Sequence, residues 1–206
     1  MSELKISEPK IILQMDIVFA TNNVNKAKEI SNLLPEKFHL MSLKDIGFLG
    51  DIPEDYETLE ENALQKAKFI HDKFKIHSFA DDTGLEVEAL NGSPGVYSAR
   101  YAGLGKKPED NMDKLLSELK GKENRKARFR TVIALIIDEK EYLFEGIVNG
   151  SITTVKKGHQ GFGYDPVFLP EGHDKTFAEM DLKNKNEISH RSKAIKKLVN
   201  FLNENY

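Results

Sequence analysis

The segment Thr58 to Phe74 constrains the fold most, because it is the longest run in the chain with unbroken helical periodicity. Leu59, Ala63, Ala67, Ile70 and Phe74 fall on one face, and Thr58 with Glu61 forms a capping box that fixes the start. A helix with a single apolar face must bury it against another layer. The neighbouring patterns supply one. The stretch from Ile11-Ile12-Leu13 to Ile17-Val18-Phe19-Ala20 reads as a strand, His77 to Ala80 as a short strand, and Leu85 to Leu90 alternates apolar with acidic before the turn Asn91-Gly92. Phe129 to Ile137 and Tyr142 to Val148 read as paired strands around Asp138-Glu-Lys-Glu141. Helical spacing returns at Asn25 to Leu34, which carries Ala27, Ile30, Leu33 and Leu34 and is closed by Pro35, and again at Asn111 to Leu119. A last helix is expected from about Ser189, a good N-cap, to Leu202. Helices interleave with strands throughout, without internal repeats or a Pro/Gly/Ser linker, so the chain reads as an α/β protein with a mixed sheet.

A chain of 206 residues, 39% hydrophobic and 31% charged, suits one globular domain, or one domain split into two lobes around a cleft. The net charge of −3 provides no overall field for nucleic acid or for an anionic membrane, so an anionic substrate must be held locally. The absence of cysteine excludes disulfides, thiolate zinc sites and cysteine nucleophiles. The first apolar stretch is too short to span a bilayer, and no small-residue cleavage site follows Met1 to Lys10. The expectation is a cytoplasmic protein with a ragged N-terminal tail.

Five places can carry chemistry. Thr21-Asn-Asn-Val-Asn-Lys26 lies between a strand and a helix, where backbone N–H groups, Thr21, Asn23 and Lys26 can hold a phosphate; without the P-loop pattern it reads equally as an N-cap beside a solvated lysine. Asp81-Asp82-Thr83-Gly84 puts two carboxylates at the end of the short strand. Adjacent carboxylates are costly unless a cation or a raised pKa relieves them, and Mg²⁺ suits their oxygens; a surface turn is the competing account. Glu54 precedes the long helix in irregular backbone, and Asn62 and Lys66 stack at i, i+4 on it, either as an intrahelical pair or on a cleft-facing edge. Gly161-Phe-Gly-Tyr-Asp-Pro166 mixes aromatics and glycines, which suits close approach to a planar base or simply a structural turn. Lys185 and Ser189-His190-Arg191 set cationic donors beside a helix start. The basic run Lys120 to Arg130 holds a single aromatic, Phe129, and reads as a solvated hinge entering a strand.

Taken together and in order, these segments resemble the inosine triphosphate pyrophosphatase family, which acts on dITP, XTP and other non-canonical purine nucleotides. The resemblance runs from Phe19-Ala-Thr-Asn-Asn-Val-Asn-Lys26, through Glu61-Asn-Ala63, Ala80-Asp-Asp-Thr-Gly-Leu85 and Pro94-Gly-Val-Tyr-Ser-Ala-Arg100, to Gly161-Phe-Gly-Tyr-Asp-Pro166 and Ser189-His-Arg191. It covers everything after the tail, residues 1–14, and implies that 15–206 form one two-lobed domain, an elongated mixed sheet flanked by helices with a central cleft. It further implies a homodimer that needs Mg²⁺ and converts a purine nucleoside triphosphate to monophosphate and pyrophosphate.

Carried over residue by residue, Thr21, Asn23, Lys26 and Lys66 look like triphosphate ligands, and Glu54 and Asp82 like metal ligands. Asp82 also looks like the base that activates water, with Asp81 in support and Thr83 against the substrate. Phe162, Gly163, Tyr164 and Asp165, with Lys185, His190 and Arg191, resemble the base pocket. Donors there would meet the C6 oxygen of hypoxanthine or xanthine and be left unpaired by the amino group of adenine. Asn22 replaces a common glycine, Thr83 a common serine, and Asp55-Tyr56 a Thr-Gly, which leaves Glu57 competing with Glu54. Two other classes stay open: an aspartyl-phosphate phosphatase, which would release orthophosphate, and a nucleotide-binding module without catalysis.

Overall fold

The structure is a computed structural model that describes residues 14–30, 34–105 and 107–206. The expected tail before Gln14, with Ile11, Ile12 and Leu13, and the Leu33 position of the first helix lie outside the described residues.

Among the described residues, seven strands form one mixed sheet: β1 (Met15–Phe19), β2 (Phe38–Met41), β3 (His77–Val87), β4 (Pro94–Gly95), β5 (Lys126–Ile137), β6 (Lys140–Ile152) and β7 (Phe168–Pro170). Their order is β2-β1-β3-β5-β6-β7, with β4 on β3. β1 runs parallel to β2 and β3, and the other pairings are antiparallel. The helices are α1 (Val24–Ile30), α2 (Leu59–Phe74), α3 (Pro108–Glu118), α4 (Leu182–Ile188) and α5 (His190–Asn205). The α/β class and the mixed sheet are as the patterning predicts. No helix among the described residues is long and apolar enough to cross a membrane.

The long amphipathic helix begins at the expected cap, where the Thr58 side chain accepts from the Glu61 N–H. Its Ala63, Ala67 and Ile70 pack with Val18, Ala80, Val132 and Ala134 on one face of the sheet. On the other face, Ala194, Ile195 and Leu198 of α5 pack with Ile17, Phe19, Phe79 and Ile133. Period-two alternation in β3 therefore sends Phe79 to the α5 side and Ala80 to the α2 side. Farther along, Leu85 and Val87 enter a third cluster with Met112 and Leu115 of α3 and with Phe129, Phe168 and Phe177. The clusters define two lobes that share β3 and β5, and Asp81 to Gly84 lie where one gives way to the other.

One expectation needs correction, and one helix was not anticipated. The strand does not stop at Ala80: β3 continues for eleven residues, paired with β5 from Ser78↔Ile136 to Val87↔Ala127, so Asp81 and Asp82 sit inside a strand rather than in a turn. The complete ladder from β5 overrides the poor strand preference of Asp and Gly. The segment before Ser189 is also helical as α4, with Asp181 accepting from the Asn184 N–H as its N-cap.

Candidate active site

β1 ends at Phe19, opposite Phe79, and β4 joins β3 only at Leu85. Between those points the described residues leave β3 without a strand neighbour on that side, so its edge opens onto both faces of the sheet. Gly84 is required at this junction, because a side chain there would run into the Gly95 carbonyl.

On the α2 face, the Lys66 Nζ lies 2.6 Å from Glu54 Oε1 and 3.0 Å from Asp82 Oδ1. The Lys66 side chain thus pairs with acids outside its own helix rather than within it. Asn62 turns instead to the lead-in, accepting from the Tyr56 N–H and donating to its carbonyl. Gln65 accepts from the Asp55 N–H and donates to the Asp55 carboxylate, so two side chains of α2 hold the segment that follows Glu54. Glu57 is exposed. Burial pushes the Asp82 carboxyl above the ordinary carboxylate range against the opposing pull of Lys66 and Lys26, and nearby Glu54 adds to the rise. Burial also disfavours the charge on Lys66, but Asp82 and Glu54 outweigh it and raise its pKa.

Asp81 faces the other way. Its Oδ2 is 3.0 Å from Lys26 Nζ and 3.3 Å from Arg191 Nε, and accepts from the Thr83 hydroxyl at 3.1 Å. Thr83 in turn lies 2.7 Å from Thr131 Oγ1 and 3.3 Å from Arg191 Nη2. Burial opposes the charge on Asp81, yet Lys26, Arg191 and Lys66 hold its carboxyl well below the usual range. Burial lowers the pKa of Lys26, and the cations Lys66 and Arg191 add to this against the pull of Asp81. Lys26 Nζ also reaches to 3.5 Å from the Asp81 carbonyl at the open edge. Thr21 and Asn23 begin α1 nearby: Thr21 Oγ1 accepts from the Asn23 N–H, and Asn23 Oδ1 from the N–H groups of Asn25 and Lys26.

Arg191 leads on to the aromatic loop. Its guanidinium lies 5.5 Å from the centre of the Phe162 ring, and Lys185 Nζ lies 4.8 Å from the same ring. Lys185 is buried and pairs with Asp165 Oδ2 at 2.8 Å, which also accepts from the Phe162 N–H. His190 stacks on Phe129 with ring centres 4.5 Å apart. Burial first, then Arg191 and Lys185, lowers its pKa well below the ordinary histidine value and keeps it neutral. Its Nδ1 is buried with no partner among the described residues. Tyr164 does not present its ring to the loop's open side: it is buried, and its hydroxyl donates to the Ser98 carbonyl. Gly163 has a φ of 63° beside it.

The structure thus gathers Glu54, Lys66 and Asp82 on one face, and Lys26, Asp81, Thr83 and Arg191 on the other, with Phe162, Asp165, Lys185 and His190 continuing from Arg191. Three supporting residues escaped sequence reasoning. Thr131 is hidden in the apolar run of β5, Ser98 receives the Leu85 N–H, and Asn111 bonds the Ser98, Ala99 and Ala102 backbone. A lone polar residue in an apolar strand was the only available signal for Thr131.

Among the described residues, no three His, Asp or Glu side chains gather as a closed metal cage. Two carboxylates meeting at an accessible edge instead fit Mg²⁺, which takes one or two protein carboxylates and completes its shell with water and substrate phosphate.

The sequence profile of the Ham1 family matches residues 17–201. The chain is 54% identical over 188 residues to the dITP/XTP pyrophosphatase of Flavobacterium johnsoniae, covering 91% of this chain and 98% of that one. It is 45% identical over 196 residues to the Bacillus subtilis protein of the same name, covering 93% and 99%. The Ham1 protein of Staphylococcus aureus superposes with a TM-score of 0.86 at 40% identity, over 93% of this chain and 100% of that one. A Coxiella burnetii HAM1 protein superposes at 0.87 with 36% identity and the same coverage.

Proposed function

The chain belongs to the Ham1 family, and from that premise we propose that it hydrolyses non-canonical purine nucleoside triphosphates, ITP, dITP and XTP, to monophosphate and pyrophosphate. Its relatives' names carry the substrate class. The observation that carries the chemistry is the convergence of Glu54 and Asp82 on Lys66 at the open edge of β3.

In this reading the triphosphate crosses that edge. Lys26 and Lys66 neutralise it, and Thr21, Asn23 and the start of α1 add hydrogen bonds. Glu54 and Asp82 would hold Mg²⁺, which when bound screens the phosphate charges and acidifies a water. Asp82 orients the attacking water and accepts its proton from its place on the open edge of β3 beside Lys66. Glu54 is the second metal ligand in place of Glu57, since it shares Lys66 with Asp82. The purine lies against Phe162 and the Gly163 backbone, with Lys185, neutral His190 and Arg191 offering donors to its C6 oxygen. Asp165 fixes Lys185, and Tyr164 ties the loop to Ser98. An adenine amino group would leave those donors unpaired inside the pocket. The same reading takes the enzyme as a cytoplasmic homodimer without nucleic-acid or membrane partners.

Product identity tests the reaction. With Mg²⁺, dITP should yield dIMP and pyrophosphate in equal amounts, measured by chromatography together with a phosphate assay. Orthophosphate as the primary product would replace this reading with a phosphatase.

A further inference from the structure

Asp81 is adjacent to the proposed base but shares no face with it. Strand alternation sends Asp82 to the Lys66 side and Asp81 to the α5 side, where Asp81 is 2% exposed. Three side chains converge on its Oδ2: Lys26 from α1, Arg191 from α5, and Thr83 two residues along the strand. Oδ1 is buried with no partner among the described residues. We propose that Asp81 is a positioning residue that couples purine recognition to triphosphate placement, by holding Arg191 and Lys26 on one buried carboxylate oxygen.

This inference rests on the roles given above to Lys26 and Arg191. A buried carboxylate with one oxygen crowded and the other idle has a second arrangement within reach. When a triphosphate draws Lys26 toward itself, the guanidinium of Arg191 gains the larger share of Asp81 and can engage both oxygens, the preferred fork geometry of an Arg-carboxylate pair. The anchor itself is fixed, because Asp81 is in register with Ile133 of β5, and Thr83 is braced by Thr131. At the far end, Arg191 touches the Phe162 ring on which the purine is placed. A base that seats Arg191 correctly therefore sets Lys26, and such a coupling is reciprocal. Selection between purines then appears in the rate of the correctly placed complex as well as in affinity.

The test is a Lys26→Ala and Arg191→Ala double-mutant cycle, run in the full chain with Asp81 and again with Asp81→Asn. It is read as kcat and KM for dITP and dATP. With Asp81 present, the two effects on kcat/KM for dITP should be non-additive by about 10-fold, the range expected for contacting residues. In the Asp81→Asn background they should become additive to within about 2-fold. The dITP:dATP preference of Asp81→Asn alone should fall about 10-fold, mainly through kcat, as for an interaction made in the transition state. Additivity in both backgrounds with an unchanged preference would overturn the proposal, and a lower melting temperature alone would then mark Asp81 as purely structural. If Asp81→Asn does not fold, Thr83→Val removes the hydroxyl shared by Asp81 and Arg191 without changing charge. It should lower the preference, and an unaltered preference in that variant would equally overturn the coupling. Orthophosphate release by the parent enzyme would instead fail the reaction itself, so the two failures are distinguishable.

Discussion

Asp81 and Asp82 are neighbours in the chain, yet their carboxyls are driven in opposite directions. Both are opposed by burial, but Asp81 has Lys26, Arg191 and Lys66 to outweigh it, whereas at Asp82 the cations Lys66 and Lys26 do not. As a candidate pair they were legible in the sequence, but their separation was not. Read locally they form a mutually repelling pair at a strand end, and only the full β5 ladder turns them to opposite faces. Lys66, Lys26 and Arg191 arrive from 16, 55 and 110 residues away, beyond any local pattern. His190 shows the same dependence on burial. Its folded pKa lies below the unfolded value, so the unfolded chain binds more protons once the pH drops beneath about 6.5. The stability that neutral His190 contributes is complete above that pH and is lost as pH falls toward the folded value. Urea unfolding between pH 7.5 and pH 5 should show wild-type stability falling by up to about 1.4 kcal/mol per pH unit from this group, and a flatter slope in His190→Phe. Equal slopes would contradict the assignment.

Elements with strong periodicity were readable from the chain alone. α2 begins at its expected cap and ends at Phe74, and the β5 and β6 pair forms as expected, though each strand runs longer than its apolar core. α4 was not readable, because Leu182-Lys-Asn-Lys-Asn-Glu-Ile188 has apolar residues only at its ends and buries Lys185. Part of the basic run is not a solvated hinge: Arg125 bonds the carbonyls of Leu119, Ile152 and Thr153, and Arg130 pairs with Glu60 and Glu145. Such pairings depend on strand register rather than composition. The seating of α5 on the sheet gives a prediction at this scale. Gly146 of β6 lies directly under the first turn of α5, where an added methyl would run into the His190 carbonyl and the Ala194 N–H. Gly146→Ala should cost about 1–3 kcal/mol in chemical denaturation, the usual penalty of overpacking. Because His190 and Arg191 share that turn, the dITP:dATP preference should fall with it. A variant of unchanged stability and preference would mean that α5 can shift freely.

At the scale of the molecule, the proposed site lies where the lobes share β3 and β5, and neither lobe alone contains all of its residues. α1, α2 and α5 bring Lys26, Lys66 and Arg191 from the lobe built around the start of β3. The aromatic loop brings Phe162 and Asp165 from the side of the third core cluster. In the proposed reading, one strand running through both halves would hold the phosphate end and the base end of one substrate in register, as preorganised catalysis requires. The mixed α/β class followed from interleaved periodicities, and residues that the ordered motifs single out lie together in the structure. The opening in the sheet did not follow, because it depends on β1 ending six residues short of the β4 pairing on β3. The most direct measurement is dITP turnover by wild type and Asp82→Asn with Mg²⁺, read as pyrophosphate release, with nucleotide affinity of the same preparations measured by calorimetry. Turnover should fall by about 10³-fold or more, as expected for removal of a general base that also holds the metal, while affinity stays within about 10-fold. An Asp82→Asn enzyme that releases pyrophosphate at a rate near wild type would contradict the account.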